Sequence, residues 1–274
     1  MIARLAALSG MMLLLMTGLA VAETPPLDAL VGRISMSLGG PTGGLAALDG
    51  SEAVELVFRR TVKDSHSRKK ITADHRYVEL GDQRRIDVRI IDGEGKDSAA
   101  VLSDISWLIV EGEVHEVERS AIEAQMGEFD PRRLWSVPFA LAAEGRQILQ
   151  AASLEVTGQE TDDAGREILV MVGRDEEGSE TSRLEVDAKS YRPIRVEFVS
   201  SSGQVEYRYS DWRDVKDGLV VPFSREFFRN GSRVSRTDVT HFKLAEPKDR
   251  TRLFDRAVTT LEPVPAPKGD VSHD

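Results

Sequence analysis

The chain has no cysteine in 274 residues. That absence excludes disulfides, thiol catalysis and thiolate metal sites, and it also excludes the lipid-attachment signal of bacterial lipoproteins, which needs a cysteine at the cleavage point. Positive charge is in short supply, with 36 Lys and Arg against 46 Asp and Glu and a formal net charge of −10. A chain so acidic lacks the basic face that nucleic acids and anionic headgroups require, and "SRKK" (Ser67 to Lys70) is too short to supply one. The 5 histidines (His66, His75, His115, His241 and His273) form no HExxH pattern, and His66, His75, His115 and His241 are expected as solvated strand-face residues. No Gly-x-Ser-x-Gly elbow offers a hydrolase nucleophile a seat. The sequence therefore points away from an enzyme, and no metal or cofactor is expected.

What is present begins with a leader. "MIAR" carries one positive charge, "LAALSGMMLLLMTGLA" is apolar, and "AVA" places small residues at the positions a signal peptidase reads. Residues 1–22 are expected to be a secretory signal peptide cleaved after Ala22, with a retained membrane anchor as the alternative. No later segment is apolar enough to span a bilayer. The mature chain is expected to be exported and periplasmic, held by its own core in place of disulfides.

After "ETPP", Leu27, Leu30, Val31, Ile34 and Leu38 fall at helical spacing. "GGPTGGLAALDG" reads as a loop, since it lacks the Gly-Lys-Ser/Thr ending of a phosphate-binding loop. From Ala53 the chain becomes short extended runs broken by "GDQ", "DGEGKD" and "EGE", ending in "VHEVERS". The period then lengthens: Asp130 as a cap and Pro131 at the first position predict helix from Asp130 to Gln150, broken near Pro138. Seven more strand-like runs follow, from "LEVTGQE" to "SRVSRTDVTHFKLA". Their connectors are short, which makes neighbouring strands antiparallel, and Asn230-Gly231 is the strongest hairpin signal. The acids Asp162-Asp163 and Asp175-Glu176-Glu177 sit in such turns, where they favour the turn itself over glycosidase chemistry. "ILVMV" (Ile168 to Val172) is apolar on both faces and predicts a central strand covered on both sides. In "YSDWRDVKDGLVVPF", "RDVKDG" is read as the connector, with Asp217-Gly218 as its bend and Pro222 marking an edge or bulge. Beyond Arg256 the proline-rich residues 257–274 are expected to be a disordered tail.

The fold class is mainly β with a few helices (α+β): a curved antiparallel sheet forming an open half-barrel, covered on its concave side by short helices, in one domain over residues 23–256. Few helices for a dozen strands leave the concave face partly hollow or filled by its own side chains, and alternation does not choose between the two. Face alternation nominates Trp107, Trp135, Phe139, Phe198, Tyr207 and Tyr209 as the lining of an apolar cavity.

The order of these pieces resembles the periplasmic lipoprotein-carrier (LolA/LolB-like) superfamily. "LSDISWLIVEGEVHEVE" resembles the family's "sDGxxLWxYxPxxxQV" strand pair, with Asp104 and Trp107 in matching places and Ile105 where the family has glycine. "SVPFALAAEG" is similar to the "tPxxLL" opening of the covering helix through Pro138, Phe139 and Leu141, and "GQVEYRYSDWRDVKDGLVVPFSREFF" to the closing meander. Phe254 in "RTRLF" resembles the family's ending. The arginine of the family's early "RPxxfrW" strand has no clear counterpart. The resemblance implies a non-catalytic carrier or sensor for a lipid or lipoprotein acyl chain, monomeric, with an inner-membrane transporter or an outer-membrane acceptor as partner. An envelope interaction module of the same fold with a filled core is the alternative, and an enzyme with a scattered site is third.

Overall fold

The computed structural model describes residues 25–39, 53–63, 69–102, 106–111, 113–128, 153–200, 203–216, 218–245 and Phe254. Its elements are α1 (Leu27–Ser37), β1 (Ala53–Lys63), β2 (Lys70–Leu80), β3 (Gln83–Asp92), β4 (Ser98–Leu102), β5 (Trp107–Val110), β6 (Glu113–Glu116) and α2 (Arg119–Glu128). Then come β7 (Ser153–Thr161), β8 (Glu167–Arg174), β9 (Glu180–Asp187), β10 (Pro193–Ser200), β11 (Gly203–Lys216), β12 (Leu219–Arg229) and β13 (Ser232–Ala245). All 13 strands form one antiparallel sheet in the order β6-β5-β4-β3-β2-β1-β13-β12-β11-β10-β9-β8-β7. Each half is a meander of neighbouring strands, and the pairing of β1 with β13 joins them. The sheet is open and curved, with β6 and β7 as its edges.

Turn chemistry sets the register. At Asn230 and Gly231 φ is 48° and 73°, the two left-handed residues of a tight hairpin whose twist suits the flanking strands. The Asn230 side chain also reaches the next hairpin, where its Oδ1 accepts a 3.0 Å hydrogen bond from the Gln204 amide. Gly203 (φ 107°) permits that approach, because a Cβ there would collide with the Asn230 amide group. The acids in turns do what short acids do there. Asp162 accepts hydrogen bonds from the amides of Ala164 and Arg166, and Asp175 from those of Glu177 and Ser179.

Three expectations need correction, and one is not tested. "VHEVERS" is not all strand: β6 stops at Glu116 and a helix not expected from sequence, α2, begins at Arg119. The predicted helical span Asp130–Gln150 lies outside the described residues. β8 is buried on both faces as expected, yet it is the second strand from the β7 edge and not central. Finally, β11 continues through "RDVK" to Lys216, so the connector to β12 is two residues long. Pro222 does sit at a local edge. It pairs with Trp212 of β11, while the register of β12 with β13 begins only at Ser224.

The two faces of the sheet differ in kind. On the inner face, Leu30, Ile34 and Leu38 of α1 and Ile122 of α2 join sheet residues including Leu56, Phe58, Tyr77, Leu102, Met171, Val186 and Val196 in one buried cluster. α1 contacts β7 and α2 contacts β4, so the two short helices sit toward opposite edges of this face. Arg33 of α1 donates to the Tyr191 hydroxyl at 2.5 Å, and the Ser37 hydroxyl to the Tyr191 carbonyl at 3.1 Å. These bonds tie α1 to the β9–β10 turn.

The outer face is ionic over much of its width. Arg195 reaches Glu197 at 2.7 Å, Glu206 at 2.8 Å and Glu185 at 3.4 Å. Burial pulls its guanidinium down, but the three carboxylates outweigh that and hold it above its usual range. Arg183 extends the ladder to Glu160, Arg59 meets Asp74 at 2.7 Å, and Arg76 meets Glu55 at 2.6 Å. Toward β6 this face turns apolar. Ala99, Val101, Trp107 and Ile109 form a cluster capped by Phe254, with Arg85 fully buried beside it. Arg85 holds Asp87 through Nε and Nη2 at 2.8 to 3.0 Å and lies 6.0 Å above the Trp107 ring.

Removing one member of a buried pair strands the other charge. Arg85→Met is therefore expected to cost about 3–5 kcal/mol, with the double change Arg85→Met, Asp87→Val recovering most of it. Urea denaturation of the variants checks this, and equal losses in single and double variants would show that the pair is not the source.

Candidate functional site

The inner face carries more than apolar side chains. Along one row, Arg60 of β1 lies opposite Thr237 of β13, Thr237 opposite Arg225 of β12, and Arg225 opposite Tyr209 of β11. The adjacent row holds Val62, Ser235, Phe227 and Tyr207 in the same registers. On the other side, Phe58 stands opposite His75 of β2 and Val239 of β13. Alternation within each strand puts these side chains on the face that packs against α1.

Aromatic rings cluster here. Phe198 and Tyr207 are 6.2 Å apart, Tyr207 and Phe227 are 5.2 Å apart, and Tyr207 and Tyr209 are 6.5 Å apart. Tyr209 also lies 6.1 Å from Trp212, whose indole N–H donates to the Pro193 carbonyl at 3.1 Å. Tyr209 is buried, while Phe198, Tyr207 and Phe227 are half-buried. The Arg225 guanidinium stacks 4.4 Å above the Tyr207 ring. Burial, and then the charge of Arg225, lower Arg60 to about 10.

Of the nominated lining residues, the structure brings Phe198, Tyr207 and Tyr209 together on the inner face. Trp107 belongs elsewhere. It pairs with Val101 and packs in the outer-face cluster, whereas its neighbour Leu108 faces the inner core. An inner lining role for Trp107 is thus corrected by the parity of β5, which a four-residue strand does not reveal in sequence. Trp135 and Phe139 lie outside the described residues. Phe227, Arg60 and Arg225 were missed, although counting back from Asn230-Gly231 puts Arg225 and Phe227 on one face of their strand.

His75 is also corrected. It is buried at 8% exposure and stacked on Phe58, with ring centroids 4.7 Å apart and planes 4° from parallel. Burial, and then the charge of Arg60, push its imidazole down to about 3. His115 and His241 are exposed, as expected of strand-face histidines. No cluster of His, Cys, Asp or Glu able to hold a metal ion occurs among the described residues.

Pockets lie at the ends of the strands. One of about 550 Å³ is lined by Thr61, Lys63, Lys70, Ser232, Arg233 and Arg236, among others. Another of about 210 Å³ lies between β9, β10 and β11, with Phe198 and Ser182 in its wall.

The depressed His75 has a pH consequence. In the unfolded chain it takes up a proton near pH 6.5, whereas in the fold it does not until about 3. The unfolded state thus binds more protons between these values, and stability falls as pH drops through that window, by about 1.4 kcal/mol per pH unit at most. His75→Phe, which keeps the stack on Phe58, is expected to flatten the pH dependence of the melting temperature between pH 6 and 4. Parallel curves for both proteins would refute this.

No family model matches the chain, and no curated protein does. Among solved structures it is similar to a domain assigned as an outer membrane lipoprotein-sorting protein from Vibrio parahaemolyticus. That likeness has 12% identity and a TM-score of 0.38, covering 75% of this chain and 92% of that one. It is also similar to the lipoprotein LppX of Mycobacterium tuberculosis, at 16% identity and a TM-score of 0.26, covering 65% of this chain and 91% of that one. Both likenesses are distant.

Proposed function

We propose that this protein is an exported, periplasmic, non-catalytic carrier or sensor that binds an acyl chain or similar lipid-like molecule against the inner face of its half-barrel. The observation that carries this reading is the half-buried aromatic group Phe198, Tyr207 and Phe227, which extends the helix-packed core across β10, β11 and β12. Aromatic rings left partly open on a concave wall give an apolar ligand contact area without new ordering of the backbone. Binding would draw on about 25 cal/mol per Å² of apolar surface removed from water, less the cost of ordering the ligand. The ligand would be taken from an inner-membrane transporter or given to an outer-membrane acceptor, by a monomeric carrier. Among the described residues no helix is long and apolar enough to cross a membrane.

A second reading has its own observation. The 550 Å³ pocket gathers Lys63, Lys70, Arg233 and Arg236 at one rim of a chain with net charge −10. That concentration suits docking of an acidic segment of an envelope protein, with the inner face filled.

Titration of delipidated protein with a fluorescent fatty-acid probe is expected to give saturable binding. Phe198→Ser or Phe227→Ser should weaken it by about tenfold, which corresponds to roughly 55 Å² of lost apolar contact. No saturable uptake overturns the carrier reading, and loss of partner capture on Lys63→Glu, Lys70→Glu would then favour the docking one.

A further inference from the structure

We infer that the inner face holds an anion site built from Arg225 and Tyr209, with Arg60 as the second cation, and that the ligand is an anionic amphiphile whose carboxylate or phosphate sits there. This deepens the carrier reading and rests on it, since the anion site adjoins the aromatic group that would take the chain.

Two buried donors stand on paired residues of β11 and β12. The Nε–H of Arg225 and the hydroxyl of Tyr209 are both shielded from solvent, and among the described residues neither has a hydrogen-bond partner. Tyr209 is 3% exposed. Their residues are directly paired in the register. Leaving such groups unsatisfied costs free energy, so buried donors on paired residues of a native fold call for an acceptor. The acceptor is not a carboxylate of the sheet, because no ion pair closes on Arg225 among the described residues. This sets Arg225 apart from arginines of the outer face such as Arg59, Arg76, Arg183 and Arg195, each held by Asp or Glu.

Charge and geometry agree. Arg60 and Arg225 flank Thr237 from either side, two strand spacings or about 10 Å apart along the sheet. Two cations this close repel, and after burial the charge of Arg225 is the second cause that lowers Arg60. An anion between them would relieve that repulsion. Thr237, buried at 4% exposure between them, offers a hydroxyl at the floor. The Tyr209 hydroxyl is pushed up by its burial, so it stays protonated and able to donate at neutral pH. Arg225 stacked on Tyr207, which lies next to Phe227 and Phe198, then places the anion at one end of the apolar group. A chain running from the anion over those rings has its polar end on Arg225 and its tail toward the β10–β11 end of the strands.

Calorimetric titration of delipidated protein with decanoate, decanol and inorganic phosphate tests this. The wild type is expected to bind decanoate at least tenfold more tightly than decanol. Arg225→Gln and Tyr209→Phe should each cut decanoate affinity by about tenfold while leaving decanol within a factor of two, and Arg225→Lys should keep part of the preference. Equal affinity for decanoate and decanol in the wild type overturns the anion site and leaves the carrier reading standing. Binding of phosphate alone, lost in Arg225→Gln, supports the anion site and overturns the acyl-chain reading. No binding of any of the three overturns both. Melting curves of each variant confirm that folded protein is compared.

Discussion

The pairing of β1 with β13 is the constraint on which the rest depends. Ala53 to Val62 lie against Ala245 to Ser235, so the first and last strands of the sheet meet at its middle. Every other strand neighbour is also a sequence neighbour. This single non-local seam turns two meanders into one sheet, and its loop-closure entropy exceeds that of any hairpin in it. It also builds the candidate site. Arg60 and Phe58 come from one meander and Arg225, Tyr207 and Tyr209 from the other, with β13 between them. A shift of one residue in this seam would turn the first meander over relative to the second, sending Arg60 to the face opposite Arg225 and Tyr209.

The sheet solves two solvation problems on its two sides. Its outer face is ionic over much of its width and spends its arginines there on carboxylates, in pairs that are individually weak at the surface but shared among neighbours such as Glu185, Glu197 and Glu206. Its inner face is dry beneath α1, where aliphatic side chains from both meanders meet Leu30, Ile34 and Leu38. Between these regimes stand residues that fit neither: half-buried rings, an arginine stacked on one of them, a histidine held neutral by burial. Buried polar groups of this sort are seldom there for stability alone, because apolar residues of the same size would serve it better. They are where a folded sheet of otherwise ordinary chemistry departs from the pattern, and they lie together.

Much of the architecture was legible in sequence because its causes are local. Asn230-Gly231 specifies a two-residue turn, alternation in "RVEFVS" and "VEYRY" specifies which side is wet, and short connectors specify antiparallel neighbours. The acids of the 162–166 and 175–179 turns behaved as turn acids for the same reason. α2 was missed because "RSAIEAQMGE" offers a weak apolar stripe, with Ile122 in the core. The length of β11 was missed because "RDVK" is polar, yet its partner "LVV" carries it as a strand.

The sequence by itself determined the strands, their hairpin partners and the inward face of Phe198, Tyr207 and Tyr209, since each follows from a period of two and a turn of fixed geometry. Only the tertiary structure decided that β1 pairs with β13, that Trp107 faces outward beneath Phe254, and that His75 is buried on Phe58. It alone placed Arg60, Arg225 and the buried Tyr209 in one row of the inner face. Periodicity tells which side of its own strand a residue occupies, but says nothing of which distant strand lies next to it. Whether an arginine meets a carboxylate, as Arg59 does, or an aromatic ring, as Arg225 does, is settled by that neighbour.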